Sequence, residues 1–238
     1  MLTTVFFDLY GTLVRWAPDA EGIQAQAAGA EGITLGLAAA ARAYPAANAL
    51  LDEENAHAPL ADRPQAERDA FFARYEQRLL EVAGAPVDLA TASRVWARVS
   101  AAPKELVLYP DVLPALSALR EAGLRVGVIS NMGPQLDLLL AELGLLAHVG
   151  VWVSSAEAGV SKPHPAIFAL GLRKAGAIPA QAAHVGDSPI SDVEGARGAG
   201  LHPVLLLREA GLQAPVGCTT VASLPEVLPA LRAAGLAG

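Results

Sequence analysis

TVFFDLYGTL, residues Thr4–Leu13, is a run of β-branched and aromatic residues that stops on a carboxylate, Asp8, and turns at Gly11. Strands buried on both faces read as continuous apolar runs, and doubly wound sheets bind ligands just past the carboxyl ends of such strands. Asp8 therefore stands where a ligand is expected, although an aspartate opening a turn has the same local look. Further short apolar runs come much later in the chain: Arg125–Ser130, Val149–Ser154, Ala183–Asp187 and Pro203–Leu207. Helical patterns separate them over Val112–Ala122, Gln135–Leu143, Pro165–Ala175 and Val193–Gly198. Strands alternating with amphipathic helices predict an α/β fold built on a doubly wound parallel sheet with right-handed crossovers.

Almost nothing between Ala17 and Ala102 reads as a strand. Arg68–Val82 and Leu89–Val99 place apolar residues at helical spacing, and Pro45, Pro59, Pro64 and Pro86 supply breaks. Pro103 and Pro110 mark the return to strand–helix alternation. The expected organisation is an α/β core over 1–16 and 103–238, interrupted by an all-helical domain over 17–102. Leu138–Val153, the most apolar region, reads as a buried helix followed by a buried strand.

Composition narrows the classes of function. The chain has 238 residues, with 17 Lys and Arg against 24 Asp and Glu, a net charge of −7. That balance is poor for gripping a phosphate backbone, so nucleic acid is not expected as a partner. Hydrophobic residues make up 53% and charged ones 17%, enough for a packed core. Mean hydropathy is +0.37, yet no uncharged apolar stretch is long enough to span a bilayer, and no membrane association is expected. The N-terminal apolar run stops at Asp8 and has no basic flank, so no signal peptide is expected. Cys218 is the single cysteine. It excludes an intramolecular disulfide framework or a cysteine-rich zinc site, fits a reducing cytoplasm, and reads as a small buried hydrophobe.

Other strand ends also carry chemistry. Arg125–Ser130 ends in Ser130-Asn131, a hydroxyl beside an amide, which alone could be a helix cap. Ser161-Lys162-Pro163 precedes the helix at Pro165, and a cation there opposes the helix dipole. Ala183–Val185 runs into Gly186-Asp187-Ser188-Pro189-Ile190-Ser191-Asp192, with Ser191 or Asp192 placed to cap the next helix. Each signal alone is ambiguous, but capping does not explain Asp, Ser, Lys and a paired acid at successive strand ends. In order, DLYGT, VISN, SKP and GDSPISD resemble the motifs of the haloacid dehalogenase-like hydrolase superfamily. The resemblance spans the whole chain, and the helical insert is similar to the family's cap.

The resemblance implies roles for residues of this sequence. Asp8 is the expected nucleophile, forming an ester or acyl phosphate that water hydrolyses. Ser130, with Asn131, and Lys162 would hold the transferring group of a small anionic substrate, and Lys162 would offset charge on Asp8. Thr12 would order the nucleophile loop by hydrogen bonding. Asp8, the main-chain carbonyl of Tyr10, and Asp187 would ligate Mg2+, with Asp192 in or near its shell. The cap would close over the site. Relatives pair through their caps in some cases, so monomer and homodimer both stay open.

Tyr10 departs from the phosphatase pattern, where an aspartate two residues past the nucleophile serves as general acid and base. A phenol with a pKa of about 10 is a poor substitute for a carboxyl near 4. Tyrosine there resembles the 2-haloacid dehalogenases, whose halide leaves without a proton. The fourth motif points the other way, because dehalogenases work without metal and have one aspartate where this chain keeps Asp187 and Asp192. Three carboxylates against Lys162 leave an excess of negative charge that a divalent cation would cancel. The region around Arg42, where a dehalogenase holds its carboxylate-binding arginine, is alanine-rich and matches poorly. The favoured expectation is a metal-dependent phosphatase; a dehalogenase is second and a non-catalytic binding protein third. His57, Glu53 and Asp62 are candidates for supplying the missing acid from the cap.

Overall fold

A computed structural model describes residues 1–57, 60, 63–208 and 217–237. The chain divides into two compact units, Met1–Arg15 with Leu108–Gly238, and Trp16–Val107. The first contains β1 (Thr4–Phe7), α5 (Val112–Glu121), β4 (Arg125–Ser130), α6 (Leu136–Glu142), β5 (Val151–Ser154), α7 (Ser155–Ala158), α8 (Pro165–Ala175), β6 (Ala182–Gly186), α9 (Gly195–Gly198), β7 (His202–Leu206), β8 (Thr219–Val221) and α10 (Val227–Ala233). The second holds α1 (Ala20–Ala30), α2 (Leu37–His57), α3 (Gln65–Val82) and α4 (Leu89–Ala101). The chain passes between the units in β2 (Val14–Ala17) and β3 (Glu105–Leu108), which pair as a separate two-stranded sheet.

The main sheet has six parallel strands in the order β5-β4-β1-β6-β7-β8. β1 is central and buried at every residue, as its apolar run predicts. Thr4 and Phe7 stand opposite Arg125 and Val128 of β4 on one side, and opposite Ala182 and Val185 of β6 on the other. The chain fills one side of β1 first and then the other, so the strand order reverses at β1. That reversal opens the crevice where such sheets bind ligands.

α8 shows how sequence sets one covering helix. His164 Nδ1 accepts from Ala166 N, Pro165 takes the first helical position, and Gly176 ends the helix at φ 61°. Ile167, Phe168, Gly171, Leu172 and Ala175 form its buried stripe, packed with Phe6, Ile129, Val151 and Val153 of the sheet. Fully burying an aliphatic or aromatic side chain of this kind contributes roughly 1.5–3 kcal/mol before entropy is counted.

The helical unit is closed by small residues. Ala27, Ala28 and Ala40 pack with Leu80 and Val95, while Ala43 and Ala47 pack with Phe71, Tyr75 and Leu79. Asp19 caps α1 by accepting from Gly22 N at 2.7 Å, and Asp88 caps α4 by accepting from Thr91 N at 2.7 Å. Phe72 and Trp96 stack with centroids 4.2 Å apart.

Several expectations are corrected. Pro45 lies inside α2 rather than breaking it. Its missing N–H costs one helical hydrogen bond, and buried Ala43 and Ala47 on either side hold the helix against α3. Pro64 does precede α3, and Pro59 lies outside the described residues. α6 is amphipathic rather than wholly buried, with Leu136 and Leu140 inside and Leu138 exposed. Cys218 is only half-buried. No described helix is long and apolar enough to cross a membrane.

Candidate active site

Asp8 follows β1 directly, and its N–H donates to Val185 O at 2.9 Å, carrying the β1–β6 ladder one residue past the strand. Ser130 ends β4 and is 3% exposed. Asp187 follows β6, and Asp192 lies in a single wide helical turn over Pro189–Glu194. Lys162 comes from the loop before α8. These groups share the carboxyl edge of the three central strands.

Lys162 is the hub. Its ammonium, 2% exposed, donates to Asp8 Oδ1 at 2.5 Å and to Asp192 Oδ1 at 2.6 Å. Asn131 fixes the backbone that carries it: Asn131 Oδ1 accepts from Lys162 N at 2.6 Å and Asn131 Nδ2 donates to Lys162 O at 3.0 Å. Expected at the substrate, Asn131 instead engages its amide in positioning the lysine. The expected hydrogen bond of Thr12 is also absent: its hydroxyl is buried and without a partner among the described residues, and its carbonyl accepts from Arg208 at 2.8 Å. Capping of the last turn falls to Ser188, whose hydroxyl accepts from Ser191 N at 2.9 Å, rather than to Ser191 or Asp192.

Asp8, Asp187 and Asp192 each offer a carboxylate oxygen, and these oxygens lie within 4.8 Å of one another. Two glycines make this crowding possible. A Cβ at Gly11, where φ is +79°, would lie 2.3 Å from Asp187 Oδ2, and one at Gly186 would lie 2.1 Å from Asp192 Cγ. Each acid is thus folded onto backbone that only glycine leaves open.

The electrostatics follow from burial and this crowding. Burial pushes the Asp8 carboxyl up to about 6, with Lys162 pulling down and Asp192 pushing up. Burial and then the charges of Asp8 and Asp192 hold Asp187 well above the usual carboxylate range. Burial alone would raise Asp192 too, but Lys162 and His184 beside it hold it well below that range. Lys162 is kept charged by Asp192 and Asp8 against the opposing effect of burial. The site therefore contains one carboxylate, Asp192, satisfied by Lys162, His184 and a main-chain donor, a second, Asp8, that shares the same lysine, and a third, Asp187, with no side-chain donor among the described residues.

The donor set suits a hard divalent cation, which takes oxygen ligands and relieves repulsion between carboxylates. Asp192 is already engaged at both oxygens, by Lys162 Nζ and His184 Nε2 at Oδ1 and by Ser188 N at Oδ2, 3.0 Å away. Asp187 has no side-chain partner among the described residues. The carboxylates left for a metal are those of Asp8 and Asp187.

Sequence reasoning missed His184. It is fully buried within β6, with Nε2 2.8 Å from Asp192 Oδ1 and its ring edge-on to Phe168. The only signal was a polar residue inside an otherwise apolar strand. Arg208 was missed as well: it forms a two-pronged pair with Asp111 at 3.0 and 3.1 Å and lies 3.7 Å above the Tyr109 ring. Tyr10 is 44% exposed. In the helical unit, Arg42 is exposed, and His57 Nδ1 meets Glu53 O at 2.8 Å beside a cavity of about 340 Å³ lined also by Leu50, Glu54, Phe71 and Arg74. Asp62 lies outside the described residues. Glu157 forms half of a capping box, its N–H donating to Ser154 Oγ, while its carboxylate pairs with Lys174.

A carboxylate at the end of the central strand, a lysine hub and a paired acid thus meet at one edge of a doubly wound sheet. The family model for haloacid dehalogenase-like hydrolases matches residues 2–200. The chain belongs to that family. Among curated relatives, the human haloacid dehalogenase-like hydrolase domain-containing protein 3 is 39% identical over 121 residues, 49% of this chain and 48% of that protein. The chain thus spans about half the length of the first curated relatives it matches. Ribulose-1,5-bisphosphate 5-phosphatase of Halopiger xanaduensis is 31% identical over 86% of this chain and 84% of its own length. Among solved structures, a 2-haloacid dehalogenase from Pseudomonas syringae pv. Tomato aligns with a TM-score of 0.59 at 23% identity, covering 98% of this chain and 99% of that one. That likeness shows the shared fold.

Proposed function

We propose that this protein is a Mg2+-dependent phosphatase that hydrolyses a small phosphorylated metabolite through an aspartyl-phosphate on Asp8. The observation that carries the reading is the cluster of Asp8, Asp187 and Asp192 with Lys162 as its one cation. Such a cluster repels an anionic substrate unless a divalent cation joins it. One relative that aligns over most of the chain is named as a ribulose-1,5-bisphosphate 5-phosphatase, which supports the same reading.

Asp8 and Asp187, with the main-chain carbonyl of Tyr10, would hold the Mg2+, and Asp192 adds negative charge nearby. The bound cation supplies charge neutralisation for the phosphoryl oxygens and the attacking carboxylate. Within the chain, Lys162 keeps one Asp8 oxygen engaged, which fixes the carboxylate's rotation and orders its free oxygen for attack on phosphorus. The bond from phosphorus to the leaving oxygen breaks as the acyl-phosphate bond forms. Ser130 lies at the same edge and would donate to the phosphoryl group. Water then attacks phosphorus and returns Asp8 as a carboxylate.

Tyr10 leaves this chain without the usual acid two residues past Asp8, so the natural leaving group is acidic or takes its proton from elsewhere, with His57 and Glu53 as candidates. The same residue supports the second reading, a dehalogenase in which Asp8 displaces halide and the ester is hydrolysed. In either case residues 1–16 and 103–238 act as the catalytic core and 17–102 as a substrate-selecting cap. The single cysteine suits a reducing, cytoplasmic setting.

The covalent step is tested by acid-quenching the enzyme during turnover of p-nitrophenyl phosphate and mapping peptides by mass spectrometry. The proposal expects the mass of one phosphoryl group on the peptide carrying Asp8, lost on hydroxylamine treatment and absent in Asp8→Asn. Phosphate release with no such adduct and an active Asp8→Asn variant would refute it.

A further inference from the structure

His184 carries no role in the chemistry so far, yet it is fully buried three residues before Asp187 and bonded to Asp192. Asp192 Oδ1 is a shared acceptor: His184 Nε2 lies 2.8 Å away and Lys162 Nζ 2.6 Å away, and the same ammonium reaches Asp8 at 2.5 Å. A continuous chain of contacts therefore runs from the imidazole to the nucleophile. Its far end is unusual, because His184 Nδ1 is buried without a hydrogen-bond partner among the described residues and the ring meets Phe168 edge-on, centroids 5.1 Å apart.

These contacts select one form of the ring. With the proton on Nδ1, a lone pair would face the Asp192 carboxylate, and a donor would be stranded in an apolar pocket. With the proton on Nε2, the carboxylate receives a donor and only a neutral acceptor is left unpaired, the cheaper of the two defects. Burial also disfavours the charged ring.

We propose that His184 is a positioning residue, whose Nε2–H holds Asp192 in the rotamer that aims Lys162 at Asp8. Asp192 has two oxygens and three donors, and Ser188 N occupies the other oxygen at 3.0 Å. Without His184, only one main-chain donor and Lys162 itself orient the carboxylate. Asp192 can then rotate about its side-chain bonds and draw the ammonium away from Asp8. The inference rests on Asp8 being the nucleophile of the reading above, but not on whether phosphate or halide is transferred.

The test compares His184→Phe, which keeps the ring and removes the donor, with His184→Gln, whose amide nitrogen can take the place of Nε2. Turnover is measured on whichever of p-nitrophenyl phosphate or 2-chloropropionate the wild-type enzyme hydrolyses. Loss of a positioned hydrogen bond to a charged group predicts a fall in kcat of roughly tenfold for His184→Phe with KM changed less than twofold, and His184→Gln within about threefold of wild type. Independently of any activity, imidazole nitrogen NMR of the unmodified protein is expected to show His184 neutral with its proton on Nε2. A proton on Nδ1, an unimpaired His184→Phe, or a His184→Gln variant as impaired as His184→Phe would each overturn the proposal. If neither substrate turns over, the functional reading fails, and the NMR result alone decides the tautomer on which the proposal depends.

Discussion

Tyr10 places a phenol two residues past Asp8, the proposed nucleophile, and is half exposed beside a largely buried cluster. If general acid catalysis is what this chain lacks, Tyr10→Asp restores it. A positioned acid contributes about 10²–10⁴-fold, so hydrolysis of an alkyl phosphate is expected to rise by on the order of 10²-fold relative to p-nitrophenyl phosphate, whose leaving group needs little protonation. An unchanged ratio in initial-rate assays would show that the acid comes from elsewhere. Asp187, left without a side-chain partner among the described residues, is the residue most dependent on a cation. Asp187→Asn is expected to raise the Mg2+ concentration for half-maximal turnover by on the order of tenfold or more. Residues at strand ends were readable because their chemistry is unexplained by packing. His184 was not, because a histidine in AAHVG looks like any core residue until the fold brings Asp192 over it.

Helices and strands were legible in proportion to their contrast. β1, β4 and α8 were predicted to the residue because an apolar run or a stripe with a proline start and glycine stop bounds each of them. β2, β3 and β8 are no shorter than β1 by more than a residue, but Arg15, Glu105 and the Thr219-Thr220 pair deny them the continuous apolar run that marks β1. α1 and α2 are alanine-rich, and alanine fits an inside or an outside face equally well, so their packing became visible only with the fold. At this scale Phe168 anchors α8 to the sheet and lies against His184. Phe168→Ala is expected to cost about 3–5 kcal/mol, measured by urea unfolding, with a loss under 1 kcal/mol contradicting its place in the core. Glu76 in α3 is buried beside Gln24 of α1, with Oε2 unpaired among the described residues, and burial raises its carboxyl to about 7. The folded state therefore holds this proton more tightly than the unfolded chain, where the usual value is 4.5. Its contribution to stability is full below about pH 4.5 and declines as pH rises to about 7. Glu76→Gln removes that slope, and its melting temperature is expected to match wild type at pH 4 and exceed it at pH 8, by an amount equivalent to about 3 kcal/mol. A parallel pH dependence in both proteins would contradict the protonated form.

Across the whole molecule, the path of the chain sets up the site. A strand at the N-terminus becomes the centre of the sheet, and segments more than a hundred residues later flank it, so Asp8, Lys162 and the Asp187–Asp192 pair meet only when the core is complete. That assembly leaves an excess of negative charge at the site, which in the proposed function a divalent cation balances for phosphoryl transfer. The measurement that tests this most directly is turnover of p-nitrophenyl phosphate and of 2-chloropropionate by the intact protein, each with Mg2+ and with EDTA. The expected result is phosphate release that needs Mg2+ and vanishes in EDTA, with no chloride release under either condition. Chloride release indifferent to EDTA, with no phosphate released, would contradict it and make Asp187 a group that positions water instead of metal.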